Sequence, residues 1–108
     1  MRPTATGLGD VVAVAGVRKE STRVGDATVT RASYPTGWRH ADHDPALCAL
    51  THVGYCVSGR LRVWWPDGAE VLVEGGQAFA LPPGHDAECL EACTLIQFDP
   101  DDDRQGAP

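Results

Sequence analysis

Hydrophobic positions in this chain occur in short runs that glycine and proline separate every few residues. The runs are rich in Val, Thr, Leu and aromatic residues and lack the period of an amphipathic helix, which is typical of β-strands. They predict seven strands: Val11–Val14, Ala27–Tyr34, Ala49–Ser58, Leu61–Trp65, Val71–Glu74, Ala78–Leu81 and Cys89–Phe98.

Four segments between these runs predict sharp turns: Ser58-Gly59-Arg60, Pro66-Asp67-Gly68, Gly75-Gly76 and Pro82-Pro83-Gly84. Glycine adopts positive φ at no steric cost, and proline cannot donate a hydrogen bond to a neighbouring strand. A sheet that turns this often in a short chain must fold back on itself to cover its edges, so we expect an all-β jelly roll or closed barrel. An immunoglobulin-like sandwich would also fit the number of strands, but its spacing of Cys and Trp is missing.

The chain of 108 residues is long enough for one domain, and its 43% hydrophobic content supports a sizeable core. We expect a single domain over residues 1–99 and an acidic tail over residues 100–108, with the run from Asp99 to Asp103 exposed to solvent. The net charge of −6 argues against nucleic acid as a partner, because phosphate binding needs a basic surface.

The apolar runs are too short to span a bilayer, and the stretch Val11–Val17 lacks the flanks of an export signal. We therefore expect a cytoplasmic protein without membrane partners, whose cysteines are reduced thiols. Cys56, Cys89 and Cys93 are interpreted as buried structural residues.

Side chains alternate across a strand, so Cys48 and His52 are expected on one face together with Gly54 and Cys56. Tyr55 then lies on the opposite face and is interpreted as structural. Of the adjacent pair Trp64 and Trp65, one must face outward. A single histidine in a strand is more often structural than a ligand, so His52 by itself does not identify a site.

A family resemblance strengthens the case for a site. The chain reads G-W-R-H-A-D-H from Gly37, C-A-L-T-H-V-G-Y-C-V-S-G-R-L-R-V from Cys48, D-G-A-E-V from Asp67 and G-Q-A-F-A-L-P-P-G-H-D-A from Gly76. It resembles a small single-domain bacterial cupin over roughly Pro35 to Pro100. The spacing Gly76-x5-Pro82-x-Gly84 matches the second cupin motif, and His52 takes the position of the glutamate in the first. The resemblance implies a jelly-roll barrel (a double-stranded β-helix) and a homodimer built through N-terminal strands.

The ligand positions of the two motifs are altered in this chain. Counted back from His52, the two histidines of the first motif fall on Ala46 and Cys48; counted forward from Gly37, they fall on His43 and Pro45. In the second motif the histidine position is Ala87, with His85 two residues earlier. The resemblance therefore implies one divalent ion held by His52, His85 and Cys48, with His43 as an additional candidate. A thiolate in this set favours zinc over iron.

Two functions remain open from the sequence. The first is a metal-dependent enzyme of lyase, isomerase or oxygenase type that acts on a small polar molecule, with Glu88 or His43 as an acid/base. The second is a metal-free cupin that senses or binds a small molecule without turnover. Cys48 as a nucleophile is a weaker alternative, because its orienting partner and an oxyanion hole cannot be placed from the sequence.

Overall fold

The structure is a computed structural model that describes residues 3–43 and 51–100. Its elements, in chain order, are β1 (Asp10–Val14), β2 (Val17–Val24), β3 (Ala27–Tyr34), α1 (His40–His43), β4 (His52–Trp64), β5 (Glu70–Glu74), β6 (Ala78–Leu81) and β7 (Asp86–Pro100). All strand pairs are antiparallel, and the strands follow the order β1-β2-β3-β7-β4-β5 with β6 on β4.

The two long strands β4 and β7 give the sheet its folded shape. The first part of β4 pairs with β6, from His52 opposite Leu81 to Tyr55 opposite Ala78. The last part of β4 pairs with β5, from Arg60 opposite Glu74 onwards, while β7 accompanies β4 along both parts. Because β4 contributes to two differently paired regions, the sheet folds over and encloses a core.

The predicted turn at Ser58-Gly59-Arg60 is wrong, since β4 runs through these residues as one strand. The register with β7 shifts three times between Cys56 and Leu61, which marks an irregular, bulged stretch. Gly59 has φ of 87°, and a Cβ at this position would lie 2.3 Å from the carbonyl oxygen of Ala92. Gly59 therefore allows β4 and β7 to approach each other closely and does not reverse the chain.

The pattern also missed β2, whose sequence V-R-K-E-S-T-R-V is mostly polar. A two-residue turn joins it to β1, with positive φ at both Ala15 and Gly16 (53° and 80°). Such a turn matches the twist of a hairpin. The chain can form this strand because β2 pairs on both sides, with β1 and β3, which satisfies its backbone groups despite few apolar side chains.

The other three predicted turns are confirmed, with positive φ at Gly68, Gly76 and Gly84. The predicted end of the chain needs correction. Asp99, which was expected to be exposed to solvent, lies half-buried in β7, opposite Thr28 of β3, and β7 extends to Pro100, the first residue of the predicted tail. Residues 101–108, the rest of the predicted tail, lie outside the described residues.

The core fills the space inside the folded sheet. Its buried residues are Ala32, Tyr34, Cys56, Leu61, Val63, Val73, Phe79, Leu81, Ala87, Cys89, Cys93 and Leu95. The three described cysteines are buried free thiols, as predicted. Burial raises the pKa of both Cys56 and Cys93, so these thiols stay protonated and unreactive at neutral pH. No described helix has the length and apolar character required to cross a membrane.

Candidate functional site

A cavity of about 190 Å³ lies inside the folded sheet. For scale, an engineered apolar cavity of about 150 Å³ holds a benzene molecule. The described residues that line it are Lys19, Tyr34, Trp38, His40, His52, Leu61, Leu81, His85, Ala87, Leu95 and Gln97. Most of this wall is apolar, with a few polar groups that converge on one space, which is the usual composition of a small-molecule site.

His52 is the first residue of β4 and lies opposite Leu81 of β6. Its inward orientation follows from the alternation along the strand, since Gly54 and Cys56 are buried while Val53 and Tyr55 are exposed. The predicted faces of this strand are thus confirmed from His52 onwards. Beyond the bulge the parity reverses, and the odd-numbered Leu61 and Val63 are buried.

His85 owes its position to the Pro82-Pro83-Gly84 turn. Its ring is only 4% exposed, and Nδ1 lies 2.8 Å from the carbonyl oxygen of Pro82. Because a carbonyl can only accept, Nδ1 carries the proton in the neutral ring and Nε2 carries the lone pair. Trp65 Nε1 donates to the same carbonyl at 3.2 Å. The proline-rich turn therefore orients both rings at the wall of the cavity.

The structure brings His52 and His85 together. Their ring centroids are 5.5 Å apart, with an interplanar angle of 63°. Trp65 contacts His85 on another side, with a centroid distance of 5.9 Å. Two residues that are 33 positions apart in the sequence thus form an imidazole pair inside the cavity, which we call the histidine pair.

Two residues of β7 that the sequence analysis did not select lie near the histidine pair. Gln97 pairs with Gly54 and lines the cavity. Continuing this antiparallel register by two residues places Asp99 opposite His52. Burial raises the pKa of the Asp99 carboxyl, and the charge of His52 lowers it in part. Asp99 was overlooked as a neighbour of His52 because the acidic run that begins with it was expected to be exposed to solvent.

Lys19 and His40 complete the polar part of the wall, and both were missed. Lys19 lies on β2, the strand that the hydrophobic pattern did not predict, with Nζ 5.9 Å from the centre of the Tyr34 ring. His40 begins α1 and is half-buried, with its ring 6.4 Å from that of Trp38. One feature of the sequence could have drawn attention to Lys19 as a candidate site residue, because it is the single lysine of the chain.

Glu88 is not brought to the cavity. It lies on the face of β7 opposite to Ala87 and Cys89, 4.0 Å from Arg62. Trp64 lies on the same outer side, where the guanidinium of Arg62 stacks 4.5 Å from its ring. The expected acid/base role of Glu88 therefore has no support in this geometry. The orientation of the tryptophan pair is confirmed, since Trp64 faces outward while Trp65 packs against the core.

The remaining predicted site residues are His43 and Cys48. His43 is the last residue of α1, and its side chain is outside the described part of the structure. Cys48 lies outside the described residues altogether, and Thr51 precedes the strand. The strand was predicted to begin at Ala49, but Thr51 is not part of β4. The alternation of side chains along β4 therefore cannot be extended through Thr51 to place Cys48.

The histidine pair could supply two ligands to a metal ion. Imidazole nitrogens are good ligands for zinc and iron, and a ring whose other N–H donates to a backbone carbonyl, as in His85, is the usual arrangement of a metal-bound histidine. Within residues 3–43 and 51–100, no group of three or more His, Cys, Asp and Glu side chains could hold a metal ion. A complete site would therefore require a ligand from outside these ranges.

Comparison with known proteins shows the fold. No protein-family model matches the sequence, and no curated protein matches it. Among solved structures, an RmlC-like cupin from Shewanella frigidimarina NCIMB 400 has a TM-score of 0.62 and 19% identity over 86% of this chain and 84% of that chain. KdgF from Halomonas sp. has a TM-score of 0.60 and 22% identity over 89% of this chain and 92% of that chain. Ectoine synthase from P. lautus has a TM-score of 0.68 and 13% identity over 84% of this chain and 69% of that chain. The likeness confirms the predicted all-β jelly roll of cupin type.

Proposed function

We propose that this cupin-fold protein binds a small polar molecule in its cavity, beside one divalent metal ion held by His52, His85 and Cys48. The observation that carries the proposal is the histidine pair, which lies 5.5 Å apart at the wall of a cavity large enough for a small molecule. Zinc is favoured over iron because the third ligand is a thiolate. When bound, such an ion would polarise the small molecule or activate a water.

The chain's own residues have distinct roles in this proposal. The Pro82 carbonyl holds the tautomer of His85 that presents Nε2 as a ligand atom. Leu61, Leu81 and Leu95 form an apolar part of the wall, against which the hydrocarbon portion of a bound molecule would pack. A reaction class is not assigned, because cupin folds serve many chemistries and Glu88 lies outside the cavity.

Metal content tests the proposal directly. Untagged protein is purified and its metals are measured by inductively coupled plasma mass spectrometry, for the wild type and for His52→Ala, His85→Ala and Cys48→Ser. We expect close to one zinc per chain in the wild type and its loss in each variant, with the circular dichroism spectrum unchanged. His40→Ala is the matched control, because His40 lines the same cavity but is not a proposed ligand.

Two results would contradict this assignment. A wild-type protein that contains no metal and takes up none from a zinc solution would leave a metal-free binding cavity, which is the alternative function. Equal loss of metal in His40→Ala would mean that the ligand set is not the one proposed.

We further propose that the protein is a homodimer in the cytoplasm. The support is at the edge of the sheet, where Val11, Val12 and Val14 of β1 are between 48% and 65% exposed. An edge strand with exposed apolar side chains needs a cover, and a second copy of the chain supplies one. A shallow groove lined by Val12, Val14 and Val17 shares Lys19, Tyr34 and Trp38 with the cavity, so the same partner would lie next to the site.

A further inference from the structure

The charge of the cavity wall differs from that of the molecule. The whole chain carries 15 acidic against 9 basic residues, with a net charge of −6. Among the described residues that line the cavity, however, there is one lysine, three histidines and no carboxylate. The carboxyl that faces His52 from β7, Asp99, is not part of this lining. The described part of the lining thus has one permanent positive charge, that of the lysine, and no negative charge, which favours an anion over a cation.

Lys19 is the residue that gives this lining a permanent charge. Four arginines of the described sheet, at positions 18, 31, 60 and 62, each form an ion pair with a glutamate. Lys19 forms no ion pair with any described carboxylate, and its ammonium instead lies 5.9 Å from the centre of the Tyr34 ring. The strand register places it in one row with Ala32 and Leu95, which are buried on the inner face. The ammonium is therefore on the cavity side of the sheet, and because Lys19 is an exposed residue that lines both the cavity and the neighbouring groove, it is accessible to an anion from solution.

The rest of the wall restricts the size and polarity of that anion. Tyr34, Trp38 and three leucines form its apolar part, and the volume of about 190 Å³ admits a molecule somewhat larger than benzene. An inorganic anion such as phosphate would leave this apolar surface without a partner. A compact organic acid would use both parts of the wall, its carboxylate against the ammonium and its hydrocarbon body against the aromatic and leucine side chains.

We infer that the molecule bound in this cavity is a small organic carboxylate with an apolar body, and that Lys19 recognises its carboxylate. The inference rests on the proposed function, since it names the class of ligand for the same cavity. Lys19 acts here as a specificity residue that binds the ligand and takes no part in holding the metal.

Two acids and their neutral amides test the inference: benzoate against benzamide, and hexanoate against hexanamide. Dissociation constants are measured by isothermal titration calorimetry on the full chain. Because Lys19 is the only lysine, reductive methylation with ¹³C-formaldehyde gives a single side-chain dimethylamine signal in the NMR spectrum. We expect at least one acid to bind about ten-fold more tightly than its amide, as charge-assisted hydrogen bonds predict, and to shift this signal.

The variant Lys19→Met keeps the length of the side chain and removes its charge, and it should reduce the preference for the acid to about two-fold or less. Arg18→Gln is the matched control, because Arg18 is adjacent in sequence, exposed and paired with Glu20. It removes the same charge from the opposite face of β2 and should leave the preference unchanged.

The outcomes separate this inference from the proposed function. Equal affinity for acid and amide, or a preference that persists in Lys19→Met, overturns the carboxylate inference while the cavity remains a binding site. Failure of all four probes to bind the wild type also overturns the carboxylate inference, but not the proposed binding of another small polar molecule. Metal content is measured separately and does not depend on either result.

Discussion

Individual residues in this protein are constrained by backbone conformation as much as by side-chain chemistry. Gly59 and Gly68 both have positive φ, at 87° and 94°. Around Gly68 a Cβ would meet no atom within 4 Å, whereas at Gly59 it would lie 2.3 Å from Ala92 O and 2.6 Å from the Cβ of Cys93. Substitutions at the two glycines therefore distinguish the free-energy cost of a positive φ angle from that of the close approach between strands.

We expect Gly59→Ala to reduce the free energy of unfolding by about 3 kcal/mol or more, because strain at positive φ adds to a clash with backbone that cannot move freely. Gly68→Ala should cost about 1 kcal/mol, since only the φ angle is strained. Urea denaturation followed by circular dichroism measures both. Similar costs for the two variants would mean that β4 and β7 separate easily at the bulge.

At the scale of elements, the bulge in β4 decides which residues face the core. Before it the even-numbered Gly54 and Cys56 are buried, and after it the odd-numbered Leu61 and Val63 are. A regular strand would have kept one parity throughout and would have exposed Val63. The irregularity therefore lets one strand contribute inward side chains to both parts of the folded sheet.

Two valines on this strand test that account. Val63 is completely buried and Val57 is 50% exposed. Val63→Ala should lower the free energy of unfolding by about 2 kcal/mol through lost burial and a residual cavity, and Val57→Ala should change it by less than about 0.5 kcal/mol. Thermal and urea unfolding of both variants provide the comparison. A larger effect at Val57 would show that its side chain is covered in solution, for example by a partner.

At the level of the whole molecule, β1 and β5 lie at the two ends of the main strand order, and β6 pairs with β4 beside it. The β1 edge carries valines that are more exposed than Val71 of β5, which is 40% exposed. The two edges thus differ in apolar exposure, and the proposed dimer uses the more apolar one.

Analytical ultracentrifugation tests the dimer. We expect the wild type to sediment at twice the mass of the 11.5 kDa chain at micromolar concentration. Val12→Asp should weaken association by about ten-fold or more, because it places a charge on a β1 edge side chain that is 60% exposed in the free chain. Val71→Asp, on β5 at the other end of the strand order, should leave association unchanged. A monomeric wild type, or equal effects of the two variants, would contradict dimerisation through β1.

Features that depend only on neighbouring residues could be predicted from the amino-acid pattern. The all-β fold class, the strands Ala27–Tyr34 and Ala78–Leu81, and the turns at Gly68, Gly76 and Gly84 follow from local hydrophobic patterning and turn chemistry. The inward face of His52 follows from the period of two along a strand. These features were predictable because they require no knowledge of which strands pair.

Features that depend on contacts between distant parts of the chain became evident from the folded structure alone. Pairing on both sides made the polar β2 a strand and brought Lys19 to the cavity. Pairing of β4 with β7 produced a bulge at Gly59 where a reversal of the chain was expected. Folding of the sheet brought His85 beside His52 and made Asp99, expected to be exposed, part of β7. The physical reason is that backbone pairing and sheet curvature join residues far apart in sequence, while periodicity reports only which side of its own strand a residue occupies.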